Sequence, residues 1–413
     1  MDTGFPAALG GIRRQNRLPV YPVMRIKYWL PGAILLLGIA GCGNKTAWTA
    51  QETATLQSLS LTSLPSVNDP SNRFAHNPQA VELGKQLFFD PRFSRNGQIA
   101  CATCHRPEKA FSDGKMVAEG LAMGTRNTPS LLGATHNDWF FWDGRKDSLW
   151  SQALEPLENP AEHGLTRLEI VRLLLKDLHY RQQYHALLTD IPAPEHFAAL
   201  PDTASPVGTL AQLQTWKSIP QAQREQLDQL FAATGKFIAA YVSSLPLAPN
   251  RLDDALTGKA TPTPAEMAGA RLFTGKAQCI LCHSGAMLSN QAFQNIGTGT
   301  FGKDSGRAAV LDTIRNDRFN CQGQYSDTTP ETCTELQFLT RSRHSMSGAF
   351  KVPGLRNVAQ TAPYFHDGRM ATLDSVIDYY VKTSQQPNKD NDLPAIQLTD
   401  TEQQDLIAFL KML

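Results

Sequence analysis

The sequence predicts a mainly α-helical chain built from two related halves. Three observations point there. A Gly-x-x-Leu-Phe segment followed by C-x-x-C-H occurs twice: residues 84–88 lead to Cys101, Ala102, Thr103, Cys104 and His105, and residues 269–273 lead to Cys279, Ile280, Leu281, Cys282 and His283. Apolar residues between and around these motifs recur at near-helical spacing. Alternating strand patterns are sparse. The repeat makes Gly84 and Gly269 equivalent positions in two related domains.

The chain has 413 residues, enough for about two domains. Its first part reads as an export signal over residues 1–41, with Met24 as an alternative start. Met24 to Lys27 is basic, and an apolar run of eleven residues (30–40) follows, too short to cross a hydrocarbon core. The end of this run, Ile39, Ala40, Gly41 and Cys42, resembles a bacterial lipobox. That implies cleavage before Cys42, lipid on its thiol, and a bacterial periplasmic body held to the membrane by a lipid anchor only. Residues 42–75 are expected to form the lipidated tether, flexible because Thr, Ser and Ala dominate it. The formal charge of +1 belongs to the signal: without residues 1–41, 34 bases face 37 acids, net −3. No basic field suggests nucleic acid.

Helix signals come next. Residues 165–184 show near-helical spacing, with Leu173, Leu174, Leu175 and Leu178 on one side as core. Residues 221–244 form a second long helix. Pro246, Pro262 and Pro264 bracket a linker near 246–264, dividing one domain (76–245) from another (246–413).

The C-x-x-C-H motifs carry chemistry. Two thiols one helical turn apart add to the vinyl groups of haem, and the next His reaches the iron. A zinc ribbon would want its Cys pairs ~15–20 residues apart, whereas 178 residues separate Cys101 from Cys279. A redox C-x-x-C does not require His next in both copies. The expected architecture is two cytochrome-c-like helical domains, each with one covalently bound c-type haem on Cys101 and Cys104 or Cys279 and Cys282, with His105 and His283 as iron ligands. Cys321 and Cys333 lie twelve apart in a polar loop and read as a disulfide, with two free thiols as the alternative.

Four stretches together resemble the bacterial di-haem cytochrome c peroxidase and MauG family. They are residues 101–105 with 110–114, residues 126–129 with 141–145, residues 279–283, and residues 350–358 through 361–368. The resemblance implies that 76–245 is the peroxidatic haem domain and 246–413 the electron-transfer haem domain. Gln152 and Glu162 stand ten and twenty residues after Trp142, matching the distal-pocket Gln and Glu. The carboxylate would move a proton between peroxide oxygens while the amide holds the peroxide. Pro156 matches a pocket-wall position, and Trp142 the aromatic residue between the haems.

The sixth ligand of the second haem falls on Tyr380, where the peroxidases have Met and MauG proteins Tyr. A phenolate lowers the potential and suits storage of oxidising equivalents. Met287, Met346 or Met370 is the alternative. No His stands between His105 and Arg126, so the first haem is expected to be open at rest, and His136 to be structural. Asn127, Thr361 and Pro363 match an inter-domain calcium site of side-chain and carbonyl oxygens.

The implied activity is reduction of hydrogen peroxide with electrons from a small cytochrome c or cupredoxin. One alternative is MauG-like oxidation of residues in a partner protein, although Ala277 and Gln278 stand where MauG carries a Trp. The other is a non-enzymatic di-haem electron-transfer cytochrome.

Overall fold

Local sequence writes most helix starts in this computed structural model, which describes residues 47–67, 69–299, 304–340, 342–386 and 391–413. In chain order, α1 (Ala50–Gln57) opens on a capping box of Thr49 and Glu52. Asn77 caps α2 (Pro78–Phe89), and α3 (Cys101–Cys104) is one turn. Ser148 caps α4 (Leu149–Glu158), and Thr166 with Glu169 boxes α5 (Arg167–Lys176). Asp177 caps α6 (Leu178–Leu187); α7 (Leu210–Ser218) and the long α8 (Gln221–Ser243) follow. The second half holds α9 (Arg251–Leu256), α10 (Pro264–Thr274), α11 (Leu311–Asn316), α12 (Thr334–Gln337), α13 (Leu373–Ser384) and α14 (Asp400–Leu410). The strands among the described residues are β1 (Phe293–Gln294) and β2 (Phe350–Lys351), antiparallel, with Phe293 opposite Lys351.

Two hydrophobic clusters organise residues 45–413, which form one unit. The first gathers Phe88, Trp150, Leu154, Leu168, Tyr184, Phe231 and Phe237 from α2, α4, α5, α6 and α8. The second gathers Leu252, Phe273, Ile377, Leu406 and Phe409 from α9, α10, α13 and α14. The repeat explains their likeness. At Gly84 in α2, an added Cβ would lie 1.8 Å from the Phe237 carbonyl oxygen of α8. At Gly269 in α10, it would lie 1.9 Å from the Asp405 carbonyl oxygen of α14. Both glycines let two helix backbones touch, and Phe88 and Phe273 lock the crossings from one turn away.

The structure corrects three expectations. The predicted flexible tether is packed over its described part: Leu56 and Leu59 are buried in the second cluster, and Glu52 pairs with Arg271 at 2.7 Å. Its Thr-rich composition supplies caps and turns here. Residues 165–184 are two helices, because the Asp177 side chain accepts the His179 and Tyr180 amides and starts α6 afresh. This break turns Leu178 out of the core, to 62% exposure. The predicted linker contains α9, pinned by the buried pair of Asp253 with Arg356 at 2.8 Å. Residues 1–41, the lipobox and Cys42 lie outside the described residues.

The loop after the second motif packs on the first half. Phe319 enters the first cluster, Lys236 reaches Asp327 at 2.7 Å, and Arg318 reaches Asp228 at 2.7 Å. Cys321 and Cys333 are joined in a disulfide within it. The Cys321 amide donates to Asp147 at 2.7 Å, and burial pushes the Asp147 carboxyl up to about 6.

Candidate active site

The two C-x-x-C-H motifs meet the same surroundings. Cys101 and Cys104, like Cys279 and Cys282, are free thiols. Burial pushes Cys101 and Cys279 each up to about 12. His105 donates from Nδ1 to the Phe111 carbonyl at 3.0 Å, and His283 to the Leu288 carbonyl at 2.9 Å. A carbonyl only accepts, so Nδ1 carries the hydrogen and Nε2 keeps its lone pair for a metal. Burial holds both imidazoles below the ordinary histidine range, in the neutral form that ligates; the accepting carbonyls of Phe111 and Leu288 pull the other way. Phe111 and Leu288 both adopt left-handed backbone, φ 57° and 54°. Neither is a residue that favours it.

The halves differ in what faces the motif. In the first, a carboxylate arrives. Pro156 lies inside α4, and the chain after Glu158 folds back through an Asn159 turn: the Asn159 side chain accepts the Ala161 amide at 3.0 Å and donates to Glu162 Oε1 at 2.7 Å. From the far side, the Leu121 and Ala122 amides donate to the Glu162 and Ala161 carbonyls. Gly120 makes that approach possible, since a Cβ there would lie 2.7 Å from the Ala161 oxygen. Cys104 Sγ lies 3.8 Å from the Glu119 carbonyl in that same loop, so residues 119–122 tie Glu162 to the neighbourhood of this Cys pair. Burial pushes both thiols up, and Glu162, with Asp113 ahead of it at Cys104, adds to the rise. Burial raises Glu162 itself, partly offset by Arg145 and Asn159. Gln152 stands one turn before Pro156 on α4, and among the described residues nothing hydrogen-bonds its amide.

In the second half, a phenol arrives. One cavity is lined by Cys279, Cys282, His283 and Tyr380, and also by Trp142, Asn127, Thr361 and Pro363. Adjacent tyrosines on α13 divide their tasks. Tyr379 donates to the Ile296 carbonyl at 2.8 Å, while nothing described hydrogen-bonds the Tyr380 hydroxyl. Burial pushes the Tyr380 phenol up, and the nearby Cys279 and Cys282 push it further. Met287 lines the same cavity, but its methyl fills the space beside Gly133; Met346 and Met370 are not among the lining residues. The Trp142 indole donates to the Asn127 carbonyl at 2.9 Å, and the Asn127 amide nitrogen donates to the Lys115 carbonyl at 2.9 Å, leaving its Oδ1.

Free thiol pairs, neutral imidazoles with Nε2 available, and a cavity in front of the second pair are the donor chemistry a haem needs. The residues fit the group in both halves.

Residues 78–261 match the family described as di-haem cytochrome c peroxidase. The methylamine utilization protein MauG of Methylorubrum extorquens is 30% identical over 342 residues, covering 81% of this chain and 78% of that protein. The chain belongs to the di-haem cytochrome c peroxidase and MauG family. Members are oxidoreductases, and membership implies two haems. The cytochrome-c peroxidase IdrP1 of Denitromonas iodatirespirans is 29% identical over 348 residues, 82% of this chain and 83% of that one. A crystal structure of a MauG-like protein associated with microbial copper homeostasis superposes with a TM-score of 0.57 at 28% identity, over 84% of this chain and 94% of that one.

Sequence reasoning missed two residues that hold these histidines, Phe111 and Leu288. Their role lies in their carbonyls, and backbone direction leaves no mark on residue type. Asn159 was missed too, although Asn is a common turn residue whose side chain accepts an amide two residues on, as it does here from Ala161.

Proposed function

We propose that this enzyme reduces hydrogen peroxide to two waters, taking two electrons and two protons per turnover. Cys101, Cys104 and His105 would hold one haem, which would supply the iron for O–O cleavage, and Cys279, Cys282 and His283 would hold another, which would supply electron relay. Glu162 takes the proton from the inner oxygen of peroxide and returns it to the outer one. Its burial and the 119–122 loop that joins it to the neighbourhood of Cys104 support this role; that juxtaposition carries the proposal. Gln152 offers its side-chain amide to the peroxide, Pro156 shapes the wall, and Trp142 lies on the electron path. Tyr380, which lines the same cavity as His283, would help hold the second haem iron. Asn127, Thr361 and the Pro363 carbonyl hold a calcium ion, for which hard neutral oxygens are suited.

The electron donor in this reading is a small cytochrome c or cupredoxin in the bacterial periplasm. The chain is held at the membrane by lipid on Cys42 after removal of residues 1–41. Among the described residues no helix is long and apolar enough to cross a membrane.

Tyr380 favours a second reading, oxidation of residues in a partner protein, because a phenolate suits a haem that stores oxidising equivalents. The deciding experiment adds peroxide and reduced cytochrome c to the protein produced with haem-maturation machinery. Rapid oxidation of the cytochrome without pre-reduction supports the first reading. A long-lived oxidised state that ignores the cytochrome, and that Tyr380→Met abolishes, supports the second. Ferric EPR without a high-spin haem defeats both and leaves an electron-transfer cytochrome.

A further inference from the structure

The wall of the cavity in front of Cys279, Cys282 and His283 carries a lysine that no carboxylate among the described residues pairs with. Two basic residues, Lys351 and Arg356, line it, and no Asp or Glu does. Arg356 is spent: it pairs with Asp253 at 2.8 Å and donates to the carbonyls of Ala286 and Leu59. Lys351 is different. Among the described residues no carboxylate lies within 4.0 Å of its Nζ, and its nearest polar contact is Asn137 Oδ1 at 3.4 Å. Asp138 attracts it only from beyond ion-pair distance, and burial holds the ammonium low, at about 8.

The backbone does not let this side chain retreat. Lys351 is in β2, paired opposite Phe293 of β1, and its amide donates to the Trp142 carbonyl at 2.8 Å. Strand and tryptophan together hold the residue at the cavity wall. A buried cation without an anion is a costly arrangement that persists where a bound group completes it. Haem brings two carboxylates, its propionates.

We propose that Lys351 Nζ receives a propionate of the haem in the second cavity and, through that ion pair, raises the reduction potential of this haem. A fixed positive charge favours the reduced iron, which carries one positive charge fewer. Lys351 is thus a positioning and tuning residue beside Trp142. This inference rests on the reading that Cys279 and Cys282 carry haem.

The test uses the full di-haem protein and Lys351→Gln. Mass spectrometry of the peptide containing Cys279 and Cys282 is read first: no haem there defeats both the reading and the proposal. With haem present, spectroelectrochemistry is expected to show the wave of the second haem displaced to lower potential, with the first haem's wave unmoved. Lys351→Arg is expected to restore most of the displacement. Both waves at their wild-type positions in Lys351→Gln would overturn the proposal while leaving the haem assignment intact. Where Lys351→Gln is not recovered with two haems, resonance Raman of Lys351→Arg decides. A shifted propionate bending mode supports the ion pair, and an unchanged one refutes it.

Discussion

The two halves are the same scaffold finished in two ways. In each, a glycine lets two helix backbones touch, a phenylalanine one turn later seals the crossing, and a left-handed residue turns a carbonyl onto the histidine. Opposite the motif they diverge. The first half ties Glu162, a partly buried carboxylate held by Asn159, through residues 119–122 to the neighbourhood of Cys104. The second brings Tyr380, a phenol with no described hydrogen bond, to Cys279 and Cys282. A carboxylate can shuttle a proton and leave a coordination position open; a phenolate can close one. Chemistry is therefore divided by what is placed across from a shared motif, and the motif itself is silent about it.

The sharpest way to break this comparison is Glu162→Gln. Peroxide turnover is expected to fall by ~10²–10⁴-fold, the usual worth of general acid–base catalysis, with the content of both haems unchanged. A fall of less than tenfold, measured as peroxide-dependent oxidation of reduced cytochrome c, would remove the carboxylate's role. The matched pair Gly84→Ala and Gly269→Ala asks whether the scaffolds are energetically equivalent. Each forces a methyl into a backbone oxygen, with an expected loss of about 3 kcal/mol, read as a Tm lowered by several degrees. Unequal losses would mean that one crossing has more room to adjust.

Tyr380→Met converts the second half toward the peroxidase pattern. Its haem potential is expected to rise by roughly a few hundred millivolts, within the ~0.8 V range that axial ligands command. The first haem is expected to stay where it was, and an unmoved second wave would exclude Tyr380 as ligand. The smallest effect is expected from Asn159→Ala. The Asn159 amide lowers the Glu162 pKa by stabilising its charged form, so its removal raises that pKa. The acid limb of the kcat/KM profile against pH should therefore move to higher pH. A downward movement would contradict the geometry.

Much of this was legible because it rests on local chemistry. Helix starts follow from caps such as Asn77 and Thr166, and the glycine equivalence followed from one repeated pattern. The tether failed for a physical reason. Thr- and Ser-rich segments read as flexible, yet two leucines, Leu56 and Leu59, suffice to dock one when a complementary apolar surface exists. Likewise the linker prolines gave no hint that Asp253 would find Arg356, 103 residues away.

The sequence by itself determined the pairs of thiols, the neighbouring histidines, the duplicated helix crossings and the mainly helical class, since each depends on residue type at short spacing. Only the tertiary structure decided what faces each motif. Glu162 reaches its Cys pair because a turn and a neighbouring loop clamp it; Tyr380 rather than Tyr379 is left unpaired because Tyr379 is held by Ile296. Lys351 faces a cavity with no carboxylate because β2 and Trp142 fix its backbone. Direction and partnership arise from contacts between distant segments, and residue type alone does not encode them.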